Sequence, residues 1–135
     1  MSAIRVLIAD DHALVREGTR RMLEQETDMQ VVGEAGDGEE TVKLACELKP
    51  DVAIVDISMP KLDGIEATKQ IKERCPSVTI LILSAYDDDQ FIFSLLEAGA
   101  AGYLLKSIRS RELVDAVRAV HAGEAASGRQ RARPR

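Results

Sequence analysis

The chain has 135 residues, of which 45% are hydrophobic and 30% are charged, and its formal net charge is −5. This composition is typical of one globular domain with a sizeable core. A membrane span is not expected, because no apolar run approaches about 20 residues. Four arginines lie within 129–135; without them, 14 basic and 23 acidic residues leave 1–128 with a charge of −9. Such an acidic body does not favour direct nucleic-acid binding.

The N-terminus and the cysteines indicate a cytoplasmic protein. The first residues run directly into an apolar strand, so no signal peptide is expected. Cys46 and Cys75 lie 29 positions apart and form no metal-binding or disulfide pattern. We therefore expect two free thiols in a reducing compartment.

Apolar runs alternate with segments of helical periodicity along the chain, which favours βαβ units and a parallel sheet. The predicted strands cover residues 4–9, 31–35, 52–55, 79–83 and 102–105. The helix after the first strand carries an apolar side made of Leu14, Val15, Gly18, Met22 and Leu23. Right-handed crossovers place helices on both faces of the sheet, which predicts one doubly wound α/β domain with five helices. We expect the flavodoxin-like strand order 2-1-3-4-5, which would bring the ends of the first and third strands together, although spacing alone does not fix that order.

Helix ends are marked by capping residues. Asp37 and Asp63 are predicted N-caps of the second and third helices, and Glu40 and Glu66 follow them in the manner of a capping box. Gly99 is predicted to end the fourth helix. These positions set the lengths of the connections between strands.

Charged residues directly follow three of the predicted strands. Asp10 and Asp11 come after the first strand, Asp56 closes the third, and Lys106 follows the fifth. The carboxyl ends of parallel strands share one edge, where ligands bind. Three carboxylates there repel one another unless a cation lies among them. Mg²⁺ (or Mn²⁺) prefers oxygen ligands and recruits phosphate oxygens, so the sequence predicts a phosphate-handling metal site.

These residues belong to longer motifs that occur in a fixed order. The motifs are Leu7-Ile8-Ala9-Asp10-Asp11-His12, Val55-Asp56-Ile57-Ser58-Met59-Pro60, Asp63-Gly64, Leu83-Ser84-Ala85 and Gly99-Ala100-Ala101-Gly102-Tyr103-Leu104-Leu105-Lys106. Across about residues 4–122 they resemble the receiver domain of bacterial two-component response regulators. The run Asp-Asp-His-Ala-Leu-Val-Arg-Glu-Gly at 10–18 resembles the NarL/LuxR group, whose members carry a C-terminal helix-turn-helix DNA-binding domain.

The resemblance implies a phosphorylation site with its metal ligands. Asp56 matches the phosphoacceptor, Asp11 the direct Mg²⁺ ligand and Asp10 its partner. The backbone carbonyl of Ser58 is a further implied ligand. Lys106 matches the lysine that meets the phosphoryl group.

The resemblance also implies a switch and two tuning positions. Ser84 matches the hydroxyl that contacts the phosphoryl group, and Tyr103 matches the aromatic side chain that moves with it. Ser58 and Tyr86 match positions that tune the lifetime of the phosphate. His12 is expected to be an exposed first-turn residue without a metal role.

We therefore expect a phosphorylation-dependent signalling switch rather than an enzyme. The implied partner is a sensor histidine kinase, which donates the phosphoryl group, and the domain promotes that transfer and its own dephosphorylation. Phosphorylation is expected to allow homodimerisation and to control transcription through a DNA-binding domain that these 135 residues do not contain. The alternative is a stand-alone receiver or phosphorelay protein. Residues 1–125 are expected to form the receiver domain and 126–135 a flexible basic linker or tail.

Two other classes fit less well. A haloacid-dehalogenase-like phosphatase needs a second aspartate two positions after its nucleophile, and Ser58 occupies that position. A flavodoxin-like flavin carrier needs a phosphate-cradling first loop and aromatic side chains for the ring, whereas Asp10 and Asp11 would repel a phosphate there.

Overall fold

Six parallel strands form one sheet in the computed structural model, which describes residues 3–57, 62–85, 89–124 and 126–127. The strands are β1 (Ile4–Ala9), β2 (Met29–Ala35), β3 (Val52–Asp56), β4 (Thr79–Ser84), β5 (Gly102–Leu105) and β6 (Ala126–Ser127). The helices are α1 (Ala13–Glu24), α2 (Gly38–Leu48), α3 (Gly64–Arg74), α4 (Asp89–Ala98) and α5 (Ser110–His121). Strands and helices alternate from β1 to α5, as the sequence predicts.

The order β2-β1-β3-β4-β5 confirms the predicted flavodoxin-like arrangement. Ala9 of β1 pairs with Val55 of β3, so Asp10 and Asp56 leave two adjacent strands at the same edge. β6 is an addition to the prediction, because its two residues pair in parallel with β5, where a flexible linker was expected from residue 126.

The sheet separates two apolar clusters, because successive strand residues point to opposite faces. One cluster joins the sheet to α1 and α5; its members include Val6, Ile8, Val52, Ile54, Leu23 and Val117. The other joins it to α2, α3 and α4; its members include Leu7, Ala53, Val55, Val42, Ile71 and Leu95. Burying one large aliphatic side chain contributes roughly 1.5–3 kcal/mol, so these clusters hold the strand ends in a fixed relation.

The predicted aspartate caps start α2 and α3. The side chain of Asp37 accepts a hydrogen bond of 2.8 Å from the backbone N–H of Glu40, and Asp63 accepts one of 2.9 Å from Glu66. The Glu40 carboxylate accepts a bond of 2.8 Å from the N–H of Gly36, one residue before the cap. The reciprocal contact of a capping box is therefore displaced by one residue at α2.

Left-handed residues end α2 and α4 and follow α5. Gly99 follows α4 with φ 113°, as predicted, and Gly123 turns the chain after α5 with φ 90°. α2 instead ends at Lys49 with φ 48°, directly before a proline. These turns return the chain towards the sheet after each helix.

The predicted apolar side of α1 does not coincide with its buried face. Leu14 is 82% exposed and Val15 is 39% exposed, whereas Leu23 is buried. The inward positions of the first turns include Thr19, which is buried, and Arg16, which is half-buried. The apolar periodicity was misleading because polar side chains with partners of their own occupy part of the inward face.

Neither a membrane-spanning helix nor a disulfide is found in the described part of the chain. None of the helices there combines the length and apolarity that crossing a membrane requires. Cys46, which is half-buried, and Cys75, which is buried, are free thiols, as expected from their spacing.

Candidate functional site

Three aspartates meet at the carboxyl edge of the sheet. One possible ligand atom from each of Asp10, Asp11, His12 and Asp56 can be chosen so that all four lie within 4.8 Å of one another. Asp10 and Asp56 are each only 3% exposed, because they directly follow or close central strands. Asp11 reaches the cluster from the more exposed loop that leads to α1. The structure thus brings together the three carboxylates on which the predicted metal site depends.

Lys106 lies across this acidic cluster. Its ammonium nitrogen is 3.2 Å from Oδ2 of Asp10 and 3.2 Å from Oδ1 of Asp56. Burial alone would lower the pKa of Lys106, but the nearby carboxylates of Asp56 and Asp10 outweigh it, so the pKa is raised. The backbone N–H of Lys106 donates to the carbonyl oxygen of Ser84 at 2.8 Å, which fixes the lysine beside the end of β4.

The donor set fits a hard divalent cation. Three carboxylates and one ammonium carry a net charge of −2, which equals the charge of one Mg²⁺ with the opposite sign. Oxygen ligands of Mg²⁺ lie about 2.1 Å from the ion and therefore up to about 4 Å apart, close to the spacing within the cluster. Asp10, Asp11 and Asp56 could hold such an ion through their carboxylate oxygens, and His12 is the fourth residue of the described group.

His12 makes contacts that its sequence position did not indicate. Its Nδ1 lies 3.2 Å from the Asp10 carboxylate and 3.1 Å from that of Asp11. The side chain is 65% exposed, as expected for a first-turn residue, and His12 is the N-cap position of α1. The ring therefore lies on the solvent side of the acidic cluster.

Ser84 and Tyr103 lie on the neighbouring strands β4 and β5, next to the strand that carries Asp56 of the acidic cluster. Ser84 ends β4 and is fully buried, and Asp56 pairs with the residue before it. Tyr103 is 2% exposed and belongs to the apolar cluster that contacts α2, α3 and α4. The tyrosine ring is therefore buried in this apolar cluster.

The start of α3 lies close to the end of β3. The N–H of Gly64 donates to the carbonyl oxygen of Ile57 at 3.0 Å, and a Cβ on Gly64 would lie 2.7 Å from the Cα of Ile57. Only a residue without a Cβ fits this approach. Ser58 and Tyr86, the predicted tuning residues, lie outside the described residues, and so does the Ser58 carbonyl.

Arg16 and Glu34 support the site although the sequence assigned neither of them a role there. Arg16 Nη1 donates to the backbone carbonyl oxygen of Asp10 at 2.6 Å, and its Nε contacts Glu34 at 3.2 Å. Sequence reasoning missed both residues. A charged residue on the inward side of α1 and an acid late in β2 were the available signals, but neither alone distinguishes a buried network from a solvated surface.

Comparison with known proteins gives consistent results for most of the chain. The model of the response regulator receiver domain family matches residues 6–118. Over 122 residues the chain is 49% identical to the transcriptional regulatory protein YxjL of Bacillus subtilis, covering 90% of this chain and 56% of YxjL. The chain thus spans about half the length of this curated relative.

Two solved structures have closely similar folds. The signal receiver domain of the response regulator NarL from Mycobacterium tuberculosis has a TM-score of 0.89 and 36% identity, covering 92% of this chain and 100% of that one. A LuxR-family two-component response regulator from Aurantimonas sp. SI85-9A1 has a TM-score of 0.90 and 39% identity, covering 95% of this chain and 91% of that one.

Proposed function

This chain belongs to the response regulator receiver domain family, of the NarL/LuxR type, and we propose that Asp56 is its phosphoacceptor. The observation that carries the proposal is the position of Lys106, 3.2 Å from both Asp56 and Asp10 at the buried edge of the sheet. A lysine held there can pair with an added phosphoryl group, and the remaining carboxylates can hold a divalent cation. The domain is a signalling module rather than a classical enzyme.

The proposed donor is a phosphohistidine of a sensor histidine kinase. One carboxylate oxygen of Asp56 attacks the phosphorus atom, an O–P bond replaces the N–P bond, and the imidazole nitrogen leaves with the electron pair. A carboxylate has no proton to lose, so the transfer needs positioning and charge neutralisation rather than a general base. Hydrolysis of the acyl phosphate in the same site is the proposed route of dephosphorylation.

Asp10, Asp11 and Asp56 are the proposed side-chain ligands of Mg²⁺ (or Mn²⁺), and the backbone carbonyl of Ser58 is the proposed fourth protein ligand. When bound, the ion supplies positive charge that offsets the anionic phosphoryl group and the carboxylates. Lys106 provides a second cation, and its raised pKa keeps it protonated at neutral pH. Two cations of different kinds would then stabilise one dianionic product.

Ser84 and Tyr103 are the proposed switch. Phosphorylation adds about −1.5 to −2 charge and three acceptor oxygens, to which the Ser84 hydroxyl can donate. Ser84 ends the strand next to β3, and movement of its hydroxyl would change the space available to the Tyr103 ring. Phosphate would thus favour a second arrangement of β4, α4 and β5. Ser58 and Tyr86 are the proposed tuning residues for phosphate lifetime.

The proposed biological setting is bacterial transcription control in the cytoplasm. The exposed Leu14 and Val15 on α1, beside the acidic cluster, are a proposed docking region for the kinase. The proposed receiver comprises residues 1–125 together with β6 (Ala126–Ser127), and the residues after β6 are the proposed linker. Phosphorylation is the proposed trigger for homodimerisation. DNA contact would require a further domain of the kind the relatives' names and lengths suggest; a stand-alone receiver is the alternative.

Mass spectrometry after incubation with acetyl phosphate tests the proposal. We expect a single phosphoryl adduct that depends on Mg²⁺, is lost with EDTA and is absent from Asp56→Asn. Asp115→Asn is the matched control, because Asp115 is an exposed aspartate on α5 outside the acidic cluster. A stable adduct of equal yield on Asp56→Asn would contradict the assignment.

The same samples separate the competing classes. A phosphatase would turn over a phosphomonoester continuously, and a flavin carrier would absorb visible light when purified with its cofactor. The proposed receiver should do neither, and its adduct should decay without an added enzyme.

A further inference from the structure

We propose that Arg16 is a positioning residue for the metal site, acting through the backbone between Asp10 and Asp11. The inference rests on the metal site of the proposed function. It goes further by assigning a role to a side chain of α1 that reaches the site through a backbone carbonyl.

The backbone at Asp10 is restrained on both sides. Its N–H donates to the carbonyl oxygen of Ala35 in β2 at 3.0 Å, and its carbonyl oxygen accepts from Arg16 Nη1 at 2.6 Å. That carbonyl belongs to the peptide that joins Asp10 to Asp11. Arg16 therefore restrains the peptide that joins the Cα atoms of Asp10 and Asp11, which carry the two carboxylate side chains.

Arg16 is itself held in place. Its Nε lies 3.2 Å from Oε1 of Glu34 on β2, and Arg20 contacts the other carboxylate oxygen of Glu34 at 2.7 Å. The Arg16 side chain is 22% exposed and that of Glu34 is 28% exposed. A guanidinium presents its donors in a rigid plane, so one contact to Glu34 orients the donor that reaches Asp10.

Positioning and simple electrostatics predict opposite results when Arg16 is removed. Arg16 is a cation near a cation site, so its charge alone disfavours Mg²⁺, and its loss would tighten binding. Its hydrogen bond fixes the peptide that carries two proposed ligands, so its loss would weaken binding. Residues that orient metal ligands typically change affinity by about 10–100-fold when mutated.

Calorimetric titration of the full chain with MgCl₂ decides between these effects. We expect the dissociation constant of Arg16→Gln to rise about tenfold relative to the unmodified chain. Arg20→Gln is the matched control, because it removes the same charge from the same helix and from the same Glu34, while Arg20 makes no described contact with Asp10. Its dissociation constant should stay within about twofold or decrease.

A second measurement separates positioning from general stability. Urea unfolding in EDTA gives the free energy of unfolding of each variant, and circular dichroism confirms that the titrated protein is folded. If Arg16→Gln does not fold, Arg16→Lys carries the test, because it keeps the charge but loses the planar fork; we expect a several-fold weaker Mg²⁺ affinity.

Equal or tighter Mg²⁺ binding by a folded Arg16 variant would overturn the inference while leaving the proposed function intact. An equal loss of affinity in Arg16→Gln and Arg20→Gln would also overturn it, since the effect would then belong to the shared partner Glu34 and not to the contact with Asp10. Absence of Mg²⁺ binding by the unmodified chain would overturn both the inference and the proposed metal site. Asp11→Asn, which should bind far more weakly, identifies the site being titrated.

Discussion

Replacing Lys106 with methionine should destabilise the metal-free protein by about 3 kcal/mol. The lysine nitrogen is 3.2 Å from Asp10 and 3.2 Å from Asp56, and both aspartates are 3% exposed. Methionine fills similar space without charge, so the substitution leaves two buried carboxylates without their shared cation. Breaking a buried ion pair costs about 3–5 kcal/mol. The 26% exposure of the lysine side chain favours the lower end of that range.

The cost should fall to about 1 kcal/mol in saturating Mg²⁺. Mg²⁺ stabilises the folded state of both proteins, so at saturation the cost changes only by RT ln of the ratio of their dissociation constants. Loss of the ammonium removes a charge that opposes Mg²⁺, so the variant should bind the ion more tightly. Binding about 30-fold tighter offsets about 2 kcal/mol of the cost. The stabilisation that Lys106 contributes to the folded state is fully present at pH 7, because its pKa is raised in the folded protein. That stabilisation is lost only above pH 10.5, as the pH rises through the raised pKa.

Urea unfolding followed by circular dichroism, in EDTA and in excess MgCl₂, measures both quantities. Lys69→Met is the matched control, because Lys69 is an exposed lysine on α3. Its free energy of unfolding should change little and should not depend on Mg²⁺. The same cost for Lys106→Met with and without Mg²⁺ would refute the idea that lysine and metal neutralise the same carboxylates. No cost in EDTA would refute the ion-pair argument itself.

Three further substitutions test the contacts of the scaffold. Gly64→Ala should lower the free energy of unfolding by about 1–3 kcal/mol, because its Cβ would lie 2.7 Å from backbone. Gly18→Ala, with nothing within 4 Å of the added atom, should stabilise α1 by up to about 1 kcal/mol; urea titrations test both, and equal shifts would contradict the contact argument. Arg118→Gln should cost about 1 kcal/mol or less at pH 7, because Arg118 contacts Asp28 at 2.8 Å on a partly exposed surface. The Arg118 hydrogen bond lowers the pKa of Asp28 below 3.8, so this cost should shrink as the pH falls through the lowered pKa; thermal unfolding at pH 7 and pH 3 measures it, and a pH-independent cost would argue against the pair.

The order of elements was predictable because each strand is a short apolar run. Burial on both faces makes β3 apolar at every position before Asp56. This pattern can be recognised from the sequence of the strand alone, without knowing which strands pair with it. β6 was not predictable, because two residues carry no periodicity and their pairing depends on the free edge of β5. The predicted strand at 31–35 begins two residues after the observed start of β2 for a related reason, since Met29 and Gln30 belong to the strand through their pairing with β1.

The cluster of Asp10, Asp11, Asp56 and Lys106 was predictable because each of these residues directly follows or closes a strand. In a parallel sheet, position at a strand end is almost sufficient to place a side chain at the ligand-binding edge. Arg16 was not predictable in the same way. Its contact with Asp10 depends on the rotation of α1 about its own axis, which the apolar residues of that helix misrepresent.

The unexpected rotation of α1 links two observations that otherwise look separate. Leu14 and Val15 are exposed, and the neighbouring Arg16 is turned inward towards Asp10 and Glu34. A helix that buried its apolar pair would carry Arg16 to solvent, since adjacent residues are about 100° apart on a helix. The hydrogen bonds of the Arg16 guanidinium therefore offset the free-energy cost of leaving the Leu14 and Val15 side chains exposed. Such local departures from the apolar pattern concentrate at functional sites, and this one lies beside the acidic cluster.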